Sequence, residues 1–221
     1  MPYTSTIVFV VRRGNPKNVR DWTDLENNPG IQVITPNPKT SGNGKLSFLA
    51  AWGFVKHRGG GDAAAEAFVR QLYNRQVPKL DLGARAATQT FLSGIGDVHL
   101  TWENEAYLEV AESKGALEIV APKCSIRAEP FVALVDVNVD RKGSRAVARA
   151  YLEFLFSPEG QEIIARHHYR PADPEVFARH RDELAPVGEL FTITTVAPSW
   201  QAAQERFFGS GGVFDRIYQG K

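Results

Sequence analysis

The chain has 221 residues, with 26 Lys or Arg against 25 Asp or Glu, so its net charge is close to zero. That length is enough for one large α/β domain or two small lobes, each with a core of its own. Nucleic-acid binders neutralise phosphates with an excess of Lys and Arg, and neither an overall excess nor a basic run occurs, so no nucleic-acid partner is expected.

Met1–Ser5 lacks the charged and apolar regions of a signal peptide, and no apolar run is long enough to span a bilayer. Thr6–Val11 is a β-type run almost at the first residue; a strand that early implies a pairing partner and an upstream segment. Ile31–Thr35 is the next predicted strand. Thr40-Ser41-Gly42-Asn43-Gly44 then leads into a helix whose Phe48, Leu49, Trp52 and Val55 share a face. Asp62 is the expected cap of a second helix carrying Ala64, Phe68 and Leu72. Further strands are predicted at Lys79–Leu82, Asp97–Trp102, Leu117–Val120, Phe131–Val139 and Phe191–Val196. A helix capped by Ser144 places Val147, Tyr151, Phe154 and Leu155 on one face, a spacing that reads as core packing. Strands alternating with helices argue for an α/β fold with a mostly parallel, wrapped sheet. The single cysteine, Cys124, excludes an internal disulfide and a cysteine metal cluster.

The loop Thr40–Gly44 sits between a strand and a helix start, where unpaired N–H groups and a partial positive charge can hold an anion. It is not a nucleotide P-loop: Gly44-Lys45 is followed by Leu46, and Lys39 occupies the position of the first glycine. Gly94-Ile95-Gly96 is no dinucleotide fingerprint either, since His99 stands where the third glycine belongs. Leu82-Gly83-Ala84-Arg85 repeats the strand-to-helix arrangement, and Trp102 ends a strand directly before Glu103-Asn104-Glu105 opens another helix. Three strand ends thus offer donors: the Ser41 hydroxyl, the N–H groups of Gly42, Asn43 and Ala84, and the Trp102 indole. Taken singly, each reads first as a cap or as packing: a Trp at a strand end normally packs, and a Ser before Gly normally caps. Asp97, His99, Glu103, Glu105, His167 and His168 are candidates for acid–base or metal chemistry. However, His99 stands alone in a strand, adjacent histidines on a helix face different directions, and no His-Glu-x-x-His helix occurs, so neither catalysis nor a metal is expected.

Several long stretches resemble the bacterial periplasmic sulfate-binding protein family, including its thiosulfate-binding relatives: PYTSTIVFVVRRGNPK (2–17), ITPNPKTSGNGKLSFLAAWGF (34–54), LGARAATQTF (82–91), GIGDVHLTWENEA (94–106), AEPFVALVDVNVD (128–140), YLEFLFSPEGQEIIARHHYRP (151–171) and GGVFDRIY (211–218). The resemblance implies a type II periplasmic-binding-protein architecture, here mostly one complete lobe. Its parts are a hinge strand over 1–12, an anion-binding second lobe over 13–128, a return hinge strand over 129–140 and a C-terminal helical segment over 141–221 that ties the lobes. The implied activity is capture of sulfate for an ABC-type sulfate/thiosulfate importer, in the periplasm, with a membrane permease as partner and no cofactor. The family's second-lobe ligand positions fall on Ser41, Gly42, Asn43, Ala84 and Trp102, with Thr40 and Arg85 behind them. Asn43 departs from the glycine usual in that slot. Family members begin further upstream, so a first-lobe segment with the opposing donors is expected to be missing, leaving half a site, with a swapped dimer as one outcome. Thiosulfate or another tetrahedral oxyanion, or an effector-binding domain of a regulator, are the alternatives.

Overall fold

In the computed structural model, which describes residues 1–218, the chain divides into two units. Thr6–Arg127 and the chain from Ala185 onward form the larger; Met1–Ser5 and Ala128–Leu184 form the smaller. The chain therefore passes from one unit to the other after Ser5, after Arg127 and after Leu184. The strands are β1 (Tyr3–Arg12), β2 (Val33–Pro36), β3 (Leu80–Asp81), β4 (Val98–Trp102), β5 (Leu117–Val120), β6 (Cys124–Ala128), β7 (Arg170–Pro171) and β8 (Glu189–Phe191). The helices are α1 (Trp22–Asn27), α2 (Gly42–His57), α3 (Asp62–Gln71), α4 (Ala84–Leu92), α5 (Glu103–Glu112), α6 (Asp136–Arg141), α7 (Arg145–Phe154), α8 (Pro158–Arg166), α9 (Pro174–His180), α10 (Trp200–Ala203) and α11 (Val213–Ile217).

The larger unit is built on a sheet in the order β3-β2-β4-β1-β6-β8, with β5 also paired to β1. β2 runs parallel to both β3 and β4, as strands joined by crossover helices must. β1 is antiparallel to β4, with Phe9 opposite Leu100 and Val11 opposite Val98. Ile7–Val11 is buried throughout, which explains an unbroken apolar run rather than an alternating one. α2 packs an aromatic core: Phe48 stacks on Trp52 and meets Tyr73, Phe207, Phe208 and Phe214 at ring separations of 5.4 to 6.1 Å. On the other side of the sheet Val8, Val10 and Ile34 pack with Ala87 and Phe91 of α4 and Ala106 of α5. Each fully buried side chain of this size contributes about 1.5–3 kcal/mol. Helix starts follow local chemistry: Asp21 and Asp24 form a reciprocal capping box at α1, and Ser157-Pro158 and Asp173-Pro174 open α8 and α9.

In the smaller unit β7 pairs with the first residues of β1, Tyr3 with Pro171 and Thr4 with Arg170. Gln161, buried at the start of α8, donates to Pro2 O and Leu155 O and accepts from the Asp173 amide, so one amide side chain gathers three segments.

Four expectations are corrected. Phe131–Val139 is not a strand: Asp136–Arg141 is helical, and Phe131, Val135 and Val137 are exposed. Its alternation looks like β structure, but the place beside β1 is taken by Cys124–Ala128, where Ser125 Oγ donates to Ile7 O of β1 and Thr6 Oγ1 of β1 donates to Ile126 O. Residues 129–140 therefore contain no return strand; the strand precedes them. The run Phe191–Val196 ends its strand at Phe191 and continues as a tight helical turn. Asp62 is the first residue of α3 rather than its cap, which is Gly61, and the buried face is Ala65, Phe68, Val69 and Leu72, with Ala64 exposed. Finally, α7 begins after Ser144 as expected, but Val147 and Tyr151 are 74% and 63% exposed and Phe154 is also exposed; no residue of the helix is buried.

Candidate functional site

β3, β2 and β4 lie side by side and parallel, so their carboxyl ends share one edge of the sheet. Each feeds a helix: β2 through residues 37–41 into α2, β3 through Leu82-Gly83 into α4, and β4 directly into α5. With strands about 4.8 Å apart, three helix N-termini collect across a width of about 10 Å. From β2 the chain moves to β3 on one side, then crosses to β4 on the other; this reversal is where open α/β sheets hold ligands.

Cross-bonds fix these loops to one another. The Asn37 amide donates to Asp81 O at 2.8 Å, and Thr40 Oγ1 donates to Leu82 O at 2.7 Å, tying the α2 loop to the α4 loop. Asn43 Nδ2 donates to Thr101 Oγ1 at 3.2 Å, tying α2 to the last turn of β4. Gly44 lets α2 start hard against its loop: a Cβ there would lie 2.5 Å from Pro36 O.

The candidate residues are thereby brought to one edge. Ser41 is the N-cap of α2; its Oγ accepts from the Gly44 amide at 3.4 Å, and that bond leaves the hydroxyl proton free to donate. Gly42 and Asn43 carry first-turn amides, which no intrahelical carbonyl can reach. Ala84 is the first residue of α4, capped by Gly83, which has no side chain to occupy the amides behind it. α5 is different: Glu103 and Glu105 in its first turn already meet the positive end of the dipole. Trp102 at its start is half-buried, and its ring N–H is a donor with no acceptor capacity. Arg85 is exposed in the first turn of α4. The Asn43 side chain does not fill the edge. It is buried, and its Oδ1 accepts from Ser47 Oγ at 3.1 Å, so the residue behaves toward the edge much as a glycine would, as an amide donor.

Of the nearby carboxylates, buried Glu103 accepts from the Ala185 amide at 2.8 Å, and Asp81 pairs through Oδ1 with Lys79 at 2.8 Å while its buried Oδ2 has no hydrogen-bond partner among the described residues. The acid–base candidates do not converge. Asp97 accepts from the Gln32 amide at 2.8 Å, a loop tie. His99 is wholly buried, its Nδ1 2.8 Å from Glu109 Oε2, so it is not alone: the pair clamps β4 to α5. Arg12 lies over Phe91 at 3.9 Å and donates to the Phe91, Ile95 and Gly96 carbonyls, so it closes the C-terminal end of α4; burial lowers its pKa, against the raising influence of Asp97 and Glu109. His167 and His168 fall after the end of α8, not on a helix, and in the smaller unit. Among the described residues no group of three or more His, Cys, Asp and Glu is placed to hold a metal ion, and no helix is long and apolar enough to cross a membrane. The sequence reading missed the partners that hold the loops, Ser47, Thr101 and Glu109; only the i, i+4 spacing of Asn43 and Ser47 could have pointed to one of them.

A family model for bacterial extracellular solute-binding proteins matches residues 1–170. The chain is 52% identical over 98% of its length to a protein of Escherichia coli K12 described as a sulfate-binding protein, covering 66% of that protein. It is 49% identical, again over 98% of its length, to a thiosulfate-binding protein of Pseudomonas aeruginosa, of which it covers 65%. The chain thus spans about two-thirds of the length of the curated relatives it matches. Among solved structures, the sulfate-binding protein SubI from Mycobacterium tuberculosis H37Rv matches with a TM-score of 0.79 at 32% identity, over 94% of this chain and 70% of that one. A periplasmic thiamin binding protein matches with a TM-score of 0.67 at 20% identity, a likeness of fold.

Proposed function

We propose that this chain, which belongs to the bacterial extracellular solute-binding protein family, forms one wall of a site for a small tetrahedral oxyanion, sulfate or thiosulfate. The family is one of solute-binding proteins and not of enzymes. The observation that carries the reading is the row of three helix starts at the ends of β2, β3 and β4. The ligand donors are the Ser41 hydroxyl, the Gly42, Asn43 and Ala84 amides and the Trp102 indole; Thr40 and Arg85 support them from behind.

A sulfate dianion stripped of water needs a donor at every oxygen, since an uncompensated buried charge is very costly. A wall made of donors meets that need. It also selects, because the O–H of hydrogen phosphate would find no acceptor, and an unmatched polar group costs about 1–3 kcal/mol. The names of the relatives include both sulfate and thiosulfate binders, so the first-choice anion is sulfate with thiosulfate as the alternative. The opposing wall we assign to polypeptide that the longer relatives carry beyond the span this chain matches. The three crossings between units, after Ser5, Arg127 and Leu184, would serve as the hinge of a periplasmic receptor that delivers its anion to an ABC importer permease.

Isothermal titration of sodium sulfate into this chain should give millimolar affinity, since roughly half of a closed shell's donors are present. Ser41→Ala and Trp102→Phe should each weaken binding about tenfold or more, the loss of a charge-assisted bond. Submicromolar binding by the monomeric chain would refute the one-wall reading. Sulfate binding unchanged by both substitutions would refute the residue assignment.

A further inference from the structure

Asn43 and Ser47 lie on one face of α2, a single turn apart, and both are buried against the end of β4. Asn43 Nδ2 donates to Thr101 Oγ1 at 3.2 Å; Asn43 Oδ1 accepts from Ser47 Oγ at 3.1 Å; Ser47 Oγ is also 3.5 Å from Leu100 O. Thr101 and Ser47 are almost without solvent exposure. Thus a buried polar chain joins the first turn of α2 to Leu100 and Thr101, the two residues immediately before Trp102. Apolar packing holds the middle of α2 but does not fix how far its first turn stands from Trp102, because dispersion contacts have no direction. A hydrogen-bonded chain does fix it.

We propose that Asn43 is a positioning residue: through Thr101 and Ser47 its side chain holds the Ser41, Gly42 and Asn43 donors in fixed register with the Trp102 indole. Its benefit to anion binding rests on the one-wall reading above, but the register itself does not. Where a glycine would leave the first turn free to shift, the amide pre-sets two of the three strand ends before any ligand arrives, which lessens the ordering that binding must impose.

The test uses the whole chain with Asn43→Ala, Thr101→Val and Thr101→Ser, read by residue-resolved amide exchange, by thermal melting and by sulfate titration. Asn43→Ala and Thr101→Val should speed exchange at Gly44, Lys45 and Glu103 about tenfold, leaving the amides of α3 unchanged. Thr101→Ser, which keeps the hydroxyl, should restore wild-type exchange. Any sulfate affinity shown by the wild type should fall in Asn43→Ala and Thr101→Val, and be kept in Thr101→Ser. Exchange that rises uniformly across the unit, or Thr101→Ser behaving as Thr101→Val does, would overturn the proposal. Absence of sulfate binding in the wild type would instead overturn the one-wall reading, and the exchange result would still decide the positioning role.

Discussion

Two glycines at the start of α2 sit two residues apart and should respond to alanine in opposite ways. A Cβ on Gly42 meets nothing within 4 Å, whereas one on Gly44 would lie 2.5 Å from Pro36 O, 2.8 Å from Asn37 C and 2.9 Å from Asn37 O. All three are backbone atoms, so no side chain can swing aside. An ordinary contact begins near 3.4 Å, so the helix start must retreat from its loop by about 0.9 Å, the difference from 2.5 Å. Such a retreat disturbs the turn whose Asn37 amide bonds Asp81 O. Overpacking of this kind costs about 1–3 kcal/mol, against a gain of about 0.5–1 kcal/mol from replacing glycine in a helix. Gly44→Ala should therefore lose about 1–2 kcal/mol, while Gly42→Ala should gain several tenths. With a urea slope of about 2 kcal/mol/M, the two midpoints should differ by about 1 M when unfolding is followed by far-UV circular dichroism. Equal midpoints for the two variants would refute the close approach of α2 to residues 36–37, and with it the geometry of the Thr40–Gly44 loop.

Other outcomes follow from burial and charge. Phe48→Ala should destabilise by about 3–5 kcal/mol, because it opens the aromatic cluster, whereas Tyr151→Gln on exposed α7 should change stability by less than about 0.5 kcal/mol in the same urea assay. His180 is held between Glu183 and Glu162, whose hydrogen bonds raise its pKa above the ordinary 6.5. Its contribution is fully present below about pH 6.5 and is lost as pH rises through the raised folded value; His180→Gln should flatten melting temperature against pH across that window. Burial pushes the Cys124 thiol up to about 11, so alkylation by iodoacetamide at pH 8 should be slow in the native chain and become fast in denaturant. Equal rates in the two conditions would contradict the buried placement.

Much of the architecture is written locally. The apolar run Ile7–Val11, the Ser41 cap before Phe48, Leu49 and Trp52, and the strand Leu117–Val120 each carry their own signal, because pattern period and capping chemistry act over a few residues. The placement of Thr40–Gly44 at a helix start was legible for the same reason: a strand end, small residues and a helix start are adjacent in sequence. Phe131–Val139 misled because alternation describes a half-buried surface, and whether a neighbour exists to bury it is not a local property. The face of Val147 and Tyr151 misled in the same way, with the spacing of a core helix but no covering surface. The sequence by itself determined which segments extend, which coil and where free donors stand. Only the tertiary structure decided that β3, β2 and β4 align those donors on one edge, and that Asn43 turns inward to Thr101 while His99 finds Glu109. Those pairings depend on strand order and helix docking, which are set by burial summed over the whole unit rather than by any one segment.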